Sequence, residues 1–399
     1  MKYKTPSGQV PTQQHIKAMH LKQIFLTALR SGGISRAQLT REMHLSFPSV
    51  SALVDELIAA GVIVESGAEE SVGRGRPSIM LRVDPDALTI PVVSMTRDGY
   101  RYTLFNACAQ PIKEGFLPLE GKPEVVREHW RPSEHALYTP LEALIAQADA
   151  PRALADLVMT VPGSINVQGT LTSSALRLRL PEDFLAQVER RTGLQIAMIN
   201  NSDAAAYTER LCQPLPEDFV YVHVGKGVGA GIIRKGKIFQ SGPMRAGEIG
   251  HVSIDYQGRP CPCGSRGCLE RYIDTTQLLL EAKVLLPEIT SFDDAAEAYR
   301  RGDERITGFF DEKATQLAFG ISNLLALQPV THIVLGGSIE KLGDRFLETV
   351  YRSAMEVGFR KYIKRVTLSY TKNTSGSDAL GALWNYLEHE MHINTIIRK

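Results

Sequence analysis

Apolar and polar positions follow two different rhythms along the chain, and the change falls near residue 85. Up to that point the spacing is mostly helical. His15–Arg30 places Ile16, Met19, Ile24, Leu26 and Leu29 on one broad apolar face, and Ser31-Gly32-Gly33 ends the helix. Ser35 caps a short second helix with Gln38 three residues on as its capping-box partner. That helix carries Ala37, Leu39 and Met43 and ends near His44-Leu45. Ser46 caps a third helix over Phe47–Ala60, with Pro48 tolerated in the first turn and Val50, Leu53, Val54 and Leu57 as its buried stripe. Val62-Ile63-Val64-Glu65 and Ile79-Met80-Leu81-Arg82-Val83 then read as two strands around a polar loop.

Three helices with a short turn between the last two, followed by a two-stranded wing, describe a winged helix-turn-helix. A recognition helix needs polar residues at its N-terminal end for base edges and an apolar stripe behind them for docking. Ser46, Ser49 and Ser51 supply the polar end, and Arg36 and Arg41 can reach phosphates. A small helical protein-interaction module fits the same helices. Gly73-Arg74-Gly75-Arg76-Pro77 forms an extended ribbon, because Pro77 disfavours helix at Arg76. Arg74 and Arg76 on such a ribbon suit the narrow minor groove of A·T-rich DNA, although a linker with two solvated arginines has the same composition.

Beyond Ala87 short apolar runs alternate with helical spacing. Ile90–Ser94 and Tyr102–Asn106 read as neighbouring strands joined at Arg97-Asp98-Gly99. Helices follow near Val125–His129 and Pro140–Ala148, then a strand at Leu157–Val161 running into Pro162-Gly163. A helix at Phe184–Arg191 precedes a strand at Ile196–Ile199. Phe219–Val224 enters the glycine-rich stretch Gly225–Gly231, and Ile333–Leu335 runs into Gly336-Gly337. This is an α/β pattern with strand-to-glycine transitions. The Gly225–Gly231 stretch fits backbone approach to a phosphate or sugar and fits a tightly packed hairpin equally well. Gly231–Lys237 imitates a phosphate loop, but Ile238 stands where Ser or Thr is required, so the match is rejected.

Composition adds little until it is divided. The 399 residues carry 45 Lys+Arg and 44 Asp+Glu, a net of +1. Residues 1–82 hold ten basic and six acidic residues, a net of +4 that marks the helical segment as the basic end. No apolar run approaches a membrane span, and the start is polar, unlike a signal peptide, so a cytoplasmic, nucleoid-associated location without membrane insertion is expected. Cys108 and Cys212 are isolated, whereas Cys261, Cys263 and Cys268 crowd within eight residues, with His251 ten residues earlier. Three thiolates and an imidazole complete the tetrahedral set of a structural Zn2+ site with no open position. A free-thiol cluster or a redox pair is the competing reading. Glu248 and Glu270 are tethered close to this loop, and Asn200-Asn201-Ser202-Asp203 follows a buried strand, a common place for ligand-binding groups or for a helix cap.

The combination is specific. A basic helix-turn-helix is followed by Gly-Arg-Pro, Val-Pro-Gly, an Asn-rich turn, Gly-x-Gly-x-Gly-x-Gly, Gly-Glu-Ile-Gly-His and Cys-x-Cys-Gly-x-x-Gly-Cys-Leu-Glu. This resembles the ROK family, in the branch of sugar-responsive repressors similar to the bacterial N-acetylglucosamine- and glucose-responsive regulators. The resemblance implies an α/β, actin-like (ribonuclease-H-like) two-lobed sugar-kinase fold behind the winged helix-turn-helix. The head then spans 1–84 and the sensor 85–399, with a small lobe at about 85–195, a large lobe at about 196–380 and a C-terminal helix at 381–399 packing back. It also implies sugar binding by Asn201, Glu248, His251 and Glu270, with the backbone of Gly163 on the cleft wall.

Two departures from the family kinases matter. Their catalytic Asp follows the Asn directly, and Ser202 stands there, without useful basicity near neutral pH. Their Asp-x-Gly-Gly-Thr phosphate loop corresponds to Val93-Ser94-Met95-Thr96-Arg97, which has no glycine pair. The expected function is therefore a sugar-responsive transcriptional regulator, read as a repressor of carbohydrate genes, and no enzyme. It binds operator DNA as a homodimer or homotetramer and is released by a sugar or by a sugar phosphate held by the Ser202 hydroxyl. The rival readings are a sugar kinase with an N-terminal DNA-binding extension and a regulator controlled by docking of a phosphotransferase transporter protein.

Overall fold

A computed structural model of the chain describes residues 12–397 apart from 69–77, 122–130, 148–154, 166–170, 174–175, 177–179, 240–245, 359 and 374–377. The expected helix at Val125–His129 and the arginine ribbon at 73–77 lie outside the described residues.

The head begins with α1 (Gln13–Ser31), which buries Leu21, Ile24, Phe25 and Ala28. This corrects the expected face: Ile16 and Met19 are 43% and 47% exposed. Strand β1 (Ile34–Ser35) leads into α2 (Arg36–Met43). The capping box holds as expected, with the Ser35 Oγ accepting from the Gln38 N–H and the Gln38 Oε1 accepting from the Ser35 N–H at 2.8 Å. Such caps are worth about 1 kcal/mol. Helix α3 (Phe47–Ala59) starts at the Ser46 cap and buries Val50, Val54 and Leu57. Strands β2 (Ile63–Ala68) and β3 (Ile79–Val83) close a three-stranded sheet in the order β1-β3-β2. Three helices on this small sheet fit a winged helix-turn-helix.

The next sheet is built from β4 (Thr89–Met95), β5 (Gly99–Asn106) and β6 (Pro111–Pro118). Helix α4 (Glu134–Gln147) follows, with Pro140 inside it, then β7 (Leu157–Val161). A small pair, β8 (Ser164–Ile165) and β9 (Leu171–Thr172), precedes α5 (Phe184–Thr192) and β10 (Ile196–Asn200). The strand order is β10-β7-β4-β5-β6. Strand β10 pairs in parallel with β7 from Ile196↔Leu157 to Asn200↔Val161, so it belongs to the first sheet and not to the large lobe, whose expected boundary fell at 196.

Helix α6 (Asn201–Cys212) leads into the second sheet, with β11 (Phe219–Val224), β12 (Val228–Arg234) and β13 (Lys237–Ile238). Helices α7 (Glu270–Ile273), α8 (Thr275–Leu285), α9 (Phe292–Arg300) and α10 (Glu304–Leu327) come before β14 (His332–Gly337). Then come α11 (Asp344–Val357), α12 (Arg360–Ile363) and β15 (Thr367–Tyr370). The order β13-β12-β11-β14-β15 repeats that of the first sheet: in each, three antiparallel strands are followed by two parallel ones on the far side of the first. One sheet topology has therefore been used twice.

In place of a single helix over 381–399, the C-terminal segment has α13 (Asp378–Asn385), a π-helical turn at Tyr386–Glu390 and α14 (Ile393–Ile397). Helices α6 and α13 pack closely against each other. A Cβ on Gly381 would lie 1.9 Å from the Ala204 carbonyl oxygen, and one on Gly231 2.3 Å from that of Ser202. Only glycine allows these close approaches. Most of the expected glycine loop is thus strand β12, packed on α6, as the hairpin reading required. No helix among the described residues is long and apolar enough to cross a membrane.

Candidate functional site

The metal loop is organised by its backbone. The Cys261 N–H donates to the Ser265 carbonyl at 2.8 Å, Gly264 N–H to the Cys261 carbonyl at 3.0 Å, and Gly267 N–H to the Arg259 carbonyl at 2.8 Å. His251 closes a short 3-10 turn, Ile249–His251, that presents its ring to the loop. The ligand atoms of His251, Cys261, Cys263 and Cys268 all lie within 4.8 Å of one another. The Cys263 and Cys268 sulfurs are 3.6 Å apart, and the Cys261 Sγ is 3.8 Å from the His251 Nδ1. A tetrahedron with metal–sulfur bonds of about 2.3 Å has edges of about 3.8 Å, which these two separations match, so the donor set fits a zinc ion. Nδ1 is the nitrogen that faces the cysteines, a choice the sequence left open. Burial pushes the Cys261 thiol up, which a divalent cation reverses by stabilising the thiolate.

The residues expected around a sugar fall into distinct settings. Asn200 caps α6: its Oδ1 accepts from the Ser202 N–H and its Nδ2 donates to the Gly163 carbonyl, both at 2.7 Å. Asn201, the first helical residue, is half-buried, and so are Gly163, Glu248 and His251. The Glu270 Oε2 accepts from the Val228 N–H at 3.0 Å, anchoring the turn between β11 and β12. Burial raises the Glu270 carboxyl, opposed by that N–H and by the neighbouring His251 ring. The structure therefore brings Glu270 and His251 together beside the metal loop and joins the Asn200 amide to Gly163.

Ser202 does not take the place expected of it. It is 4% exposed, and its Oγ is 2.9 Å from where a Cβ on Gly229 would stand. The hydroxyl is thus packed in the contact between α6 and β12. With Asn200 as the cap outside the helix, Ser202 takes the face that docks on the strand. This removes the support for Ser202 as a phosphate contact.

At the position of the kinase phosphate loop, the hairpin between β4 and β5 is closed by a side chain. The Asp98 and Gly99 N–H groups donate to the Thr96 Oγ1 at 3.3 and 3.2 Å, so the amides that would cradle a phosphate are already engaged. From the opposite lobe, the Lys226 Nζ reaches the Asp98 Oδ2 at 3.3 Å. Deeper between the lobes, the Asp378 Oδ2 accepts from Ser94 and Thr160 at 2.9 and 2.7 Å. His223, whose imidazole burial holds below the ordinary range, feels the charge of Asp378 from the second sheet. Sequence reasoning missed Asp378 because its partners are hundreds of residues away.

The head places Ser46 and Ser49 on the exposed start of α3, where their hydroxyls pair at 2.8 Å, and leaves Ser51 half-buried. Arg36 is engaged elsewhere. It donates to the Ser51 carbonyl at 3.1 Å and pairs with Asp55 at 2.8 Å and Glu65 at 3.0 Å, bracing α2, α3 and β2. Phe47, 52% exposed beside Ser46, is a residue the sequence reading did not single out, and a phenyl ring there can contact a thymine methyl.

Comparison with known proteins agrees with this architecture. The xylose repressor of Caldicellulosiruptor bescii is 26% identical over 388 residues, covering 92% of this chain and 95% of its own. The crystal structure of a ROK family transcriptional regulator, a homologue of the Escherichia coli Mlc protein, superposes with a TM-score of 0.80 at 20% identity, over 96% of this chain and 100% of that one. A ROK family glucokinase from Streptomyces griseus, solved with glucose and AMPPNP, superposes with a TM-score of 0.58 at 20% identity, over 74% of this chain and 97% of that one. The sequence profile of the ROK family matches residues 124–388, more than half of the chain, and includes Gly163, Asn201, Glu248, Glu270 and the loop of His251, Cys261, Cys263 and Cys268. The chain therefore belongs to the ROK family.

Proposed function

We propose that the chain is a sugar-responsive DNA-binding regulator that acts as a repressor, carries a structural zinc ion and has no kinase activity. One observation carries this reading: a winged head shares an apolar core with the first lobe of a sugar-kinase-like fold whose phosphate-loop amides are engaged by Thr96. In the cleft, Asn201, Glu248, His251 and Glu270 bind the hydroxyls of a sugar, with the Gly163 backbone on the wall. Zinc, when bound through His251, Cys261, Cys263 and Cys268, supplies a fixed tetrahedral node. His251 is thereby oriented before the sugar arrives, and its Nε2 is left for a hydroxyl.

Ser46 and Ser49 at the start of α3 face base edges, and Arg74 and Arg76, which lie outside the described residues, take the minor-groove role that their sequence suggests. A head of only +4 binds DNA weakly alone, so a homodimer or homotetramer on a two-fold operator is expected. Sugar weakens DNA binding only by binding the DNA-incompetent arrangement more tightly. The test is fluorescence anisotropy on a duplex that the protein selects from a random pool. D-xylose, the sugar in the repressor relative's name, heads a panel with D-glucose, N-acetylglucosamine and their phosphates. Release of DNA by one sugar is expected, together with no sugar-dependent ATP turnover. Unchanged DNA binding across the panel, or ATP turnover, overturns the reading.

A further inference from the structure

The C-terminal segment runs from the junction of the lobes to the head. Helix α13 starts at Asp378, which holds β4 and β7 through Ser94 and Thr160, and α14 ends against α1. Between them the π-helical turn is closed by the Met391 N–H donating to the Tyr386 carbonyl at 2.8 Å. Such a turn re-aims the side chains on it and recurs at functional positions. Here it presents Glu388, whose side chain is 10% exposed.

The two carboxylate oxygens of Glu388 serve different bodies. Oε1 pairs with Arg30 of α1 at 2.8 Å. Oε2 accepts from the Tyr207 hydroxyl and pairs with Arg210 at 3.3 Å, both on α6. Arg210 also lies over the Tyr207 ring at 4.6 Å and donates to its hydroxyl at 2.8 Å. A second tie runs from the Lys22 Nζ to the Met391 carbonyl at 2.9 Å. Helix α6 is the element whose first residue, Asn201, borders the candidate cleft. Gly231 and Gly381 fix it against β12 and α13. Movement of α6 with the second lobe therefore carries Tyr207 and Arg210 with it. A largely buried carboxylate tolerates the loss of a partner poorly, so Glu388 must follow them or release Arg30.

We propose that Glu388 is a positioning residue that transmits the arrangement of the cleft helix α6 to helix α1 of the DNA-binding head. This rests on the regulatory reading above. The test uses the full chain, the selected duplex and the same three sugars. Arg30→Gln cuts only the head arm at a side chain 54% exposed, which protects the fold, and Glu388→Gln cuts the centre. Both variants are expected to keep DNA affinity without sugar and sugar affinity within about threefold of the parent, while the sugar-induced loss of DNA affinity shrinks by at least roughly fivefold. Arg30→Lys, which keeps the charge, restores the response. Variants that respond as fully as the parent overturn the relay and leave the regulatory reading standing. If the parent itself ignores every sugar, the regulatory reading falls, and hydrogen exchange decides the relay. Arg30→Gln must then loosen residues 201–212 of α6 as well as α1, and a change confined to α1 overturns it.

Discussion

Arg36 donates to one carbonyl and sits in two ion pairs, so its charge serves the head's own fold. Its partners Asp55 and Glu65 are 65% and 43% exposed, which limits what each pair contributes. Arg36→Ala is expected to destabilise the head by about 1–2 kcal/mol, read as a fall in the urea midpoint, with the salt slope of DNA binding unchanged. A slope that drops by about one, at constant stability, would instead make Arg36 a phosphate contact. Ser202 allows a similar separation. Because its hydroxyl is packed against β12, Ser202→Ala should leave affinity for any sugar 6-phosphate within about twofold in titration calorimetry. A tenfold loss for the phosphate, with the free sugar unaffected, would return Ser202 to the cleft.

At the scale of elements, the metal loop is held by turns as much as by its ligands. Gly267 has φ +67°, and a Cβ there would fall 1.6 Å from the Asp255 carbonyl oxygen. Gly267→Ala must shift the backbone between Cys263 and Cys268, at a cost on the order of 2 kcal/mol or more, and should lower both the melting temperature and the zinc content of purified protein. A variant with full zinc content and parental melting temperature would contradict this account. Chelation of the parent should lower its melting temperature as well, since a structural ion stabilises the fold it binds. What the sequence made legible at this scale was local. The Ser35–Gln38 capping box, the Ser46 cap and the cluster of His251, Cys261, Cys263 and Cys268 each lie within a short stretch of chain whose spacing alone restricts the geometry. The inward face of α1 was misread because it is chosen by β3 and α14, from later in the chain. Strand β6 was not seen because it is largely exposed and carries Lys113, Glu114 and Gly115 where an apolar stripe would be needed. The Asn200–Gly163 bond and the Asp378 cluster join residues from separate strands and helices, and no periodicity encodes such meetings.

Over the whole molecule, the chain changes from helical to strand rhythm near residue 85, yet packing does not stop there. One buried cluster contains Ile24, Phe25, Val54 and Leu81 of the head, Ile90, Val92 and Phe105 of the first sheet, and Leu383, Leu387 and Ile393 of the C-terminal segment. A boundary in sequence pattern is thus not a boundary in the core, because a small head gains burial by sharing a larger neighbour's apolar surface. Excising residues 1–84 would expose the inward side of α1 and of β3 that now meets α14, the first sheet and the turn at Pro85–Ala87. At about 25 cal/mol per Å², even a few hundred Å² of such surface outweighs the usual margin of a domain this small. The isolated segment should therefore melt well below the intact chain, and calorimetry of the intact chain should show the head unfolding together with the first lobe. Deleting residues 391–399, which removes α14 and the Met391 carbonyl that Lys22 holds, should lower that shared transition while sparing the second-lobe transition. A head segment that melts alone at the temperature it shows in the full chain would mean that the common core contributes nothing. The head would then have to be coupled to the cleft by the polar ties, Glu388 to Arg30 and Lys22 to the Met391 carbonyl.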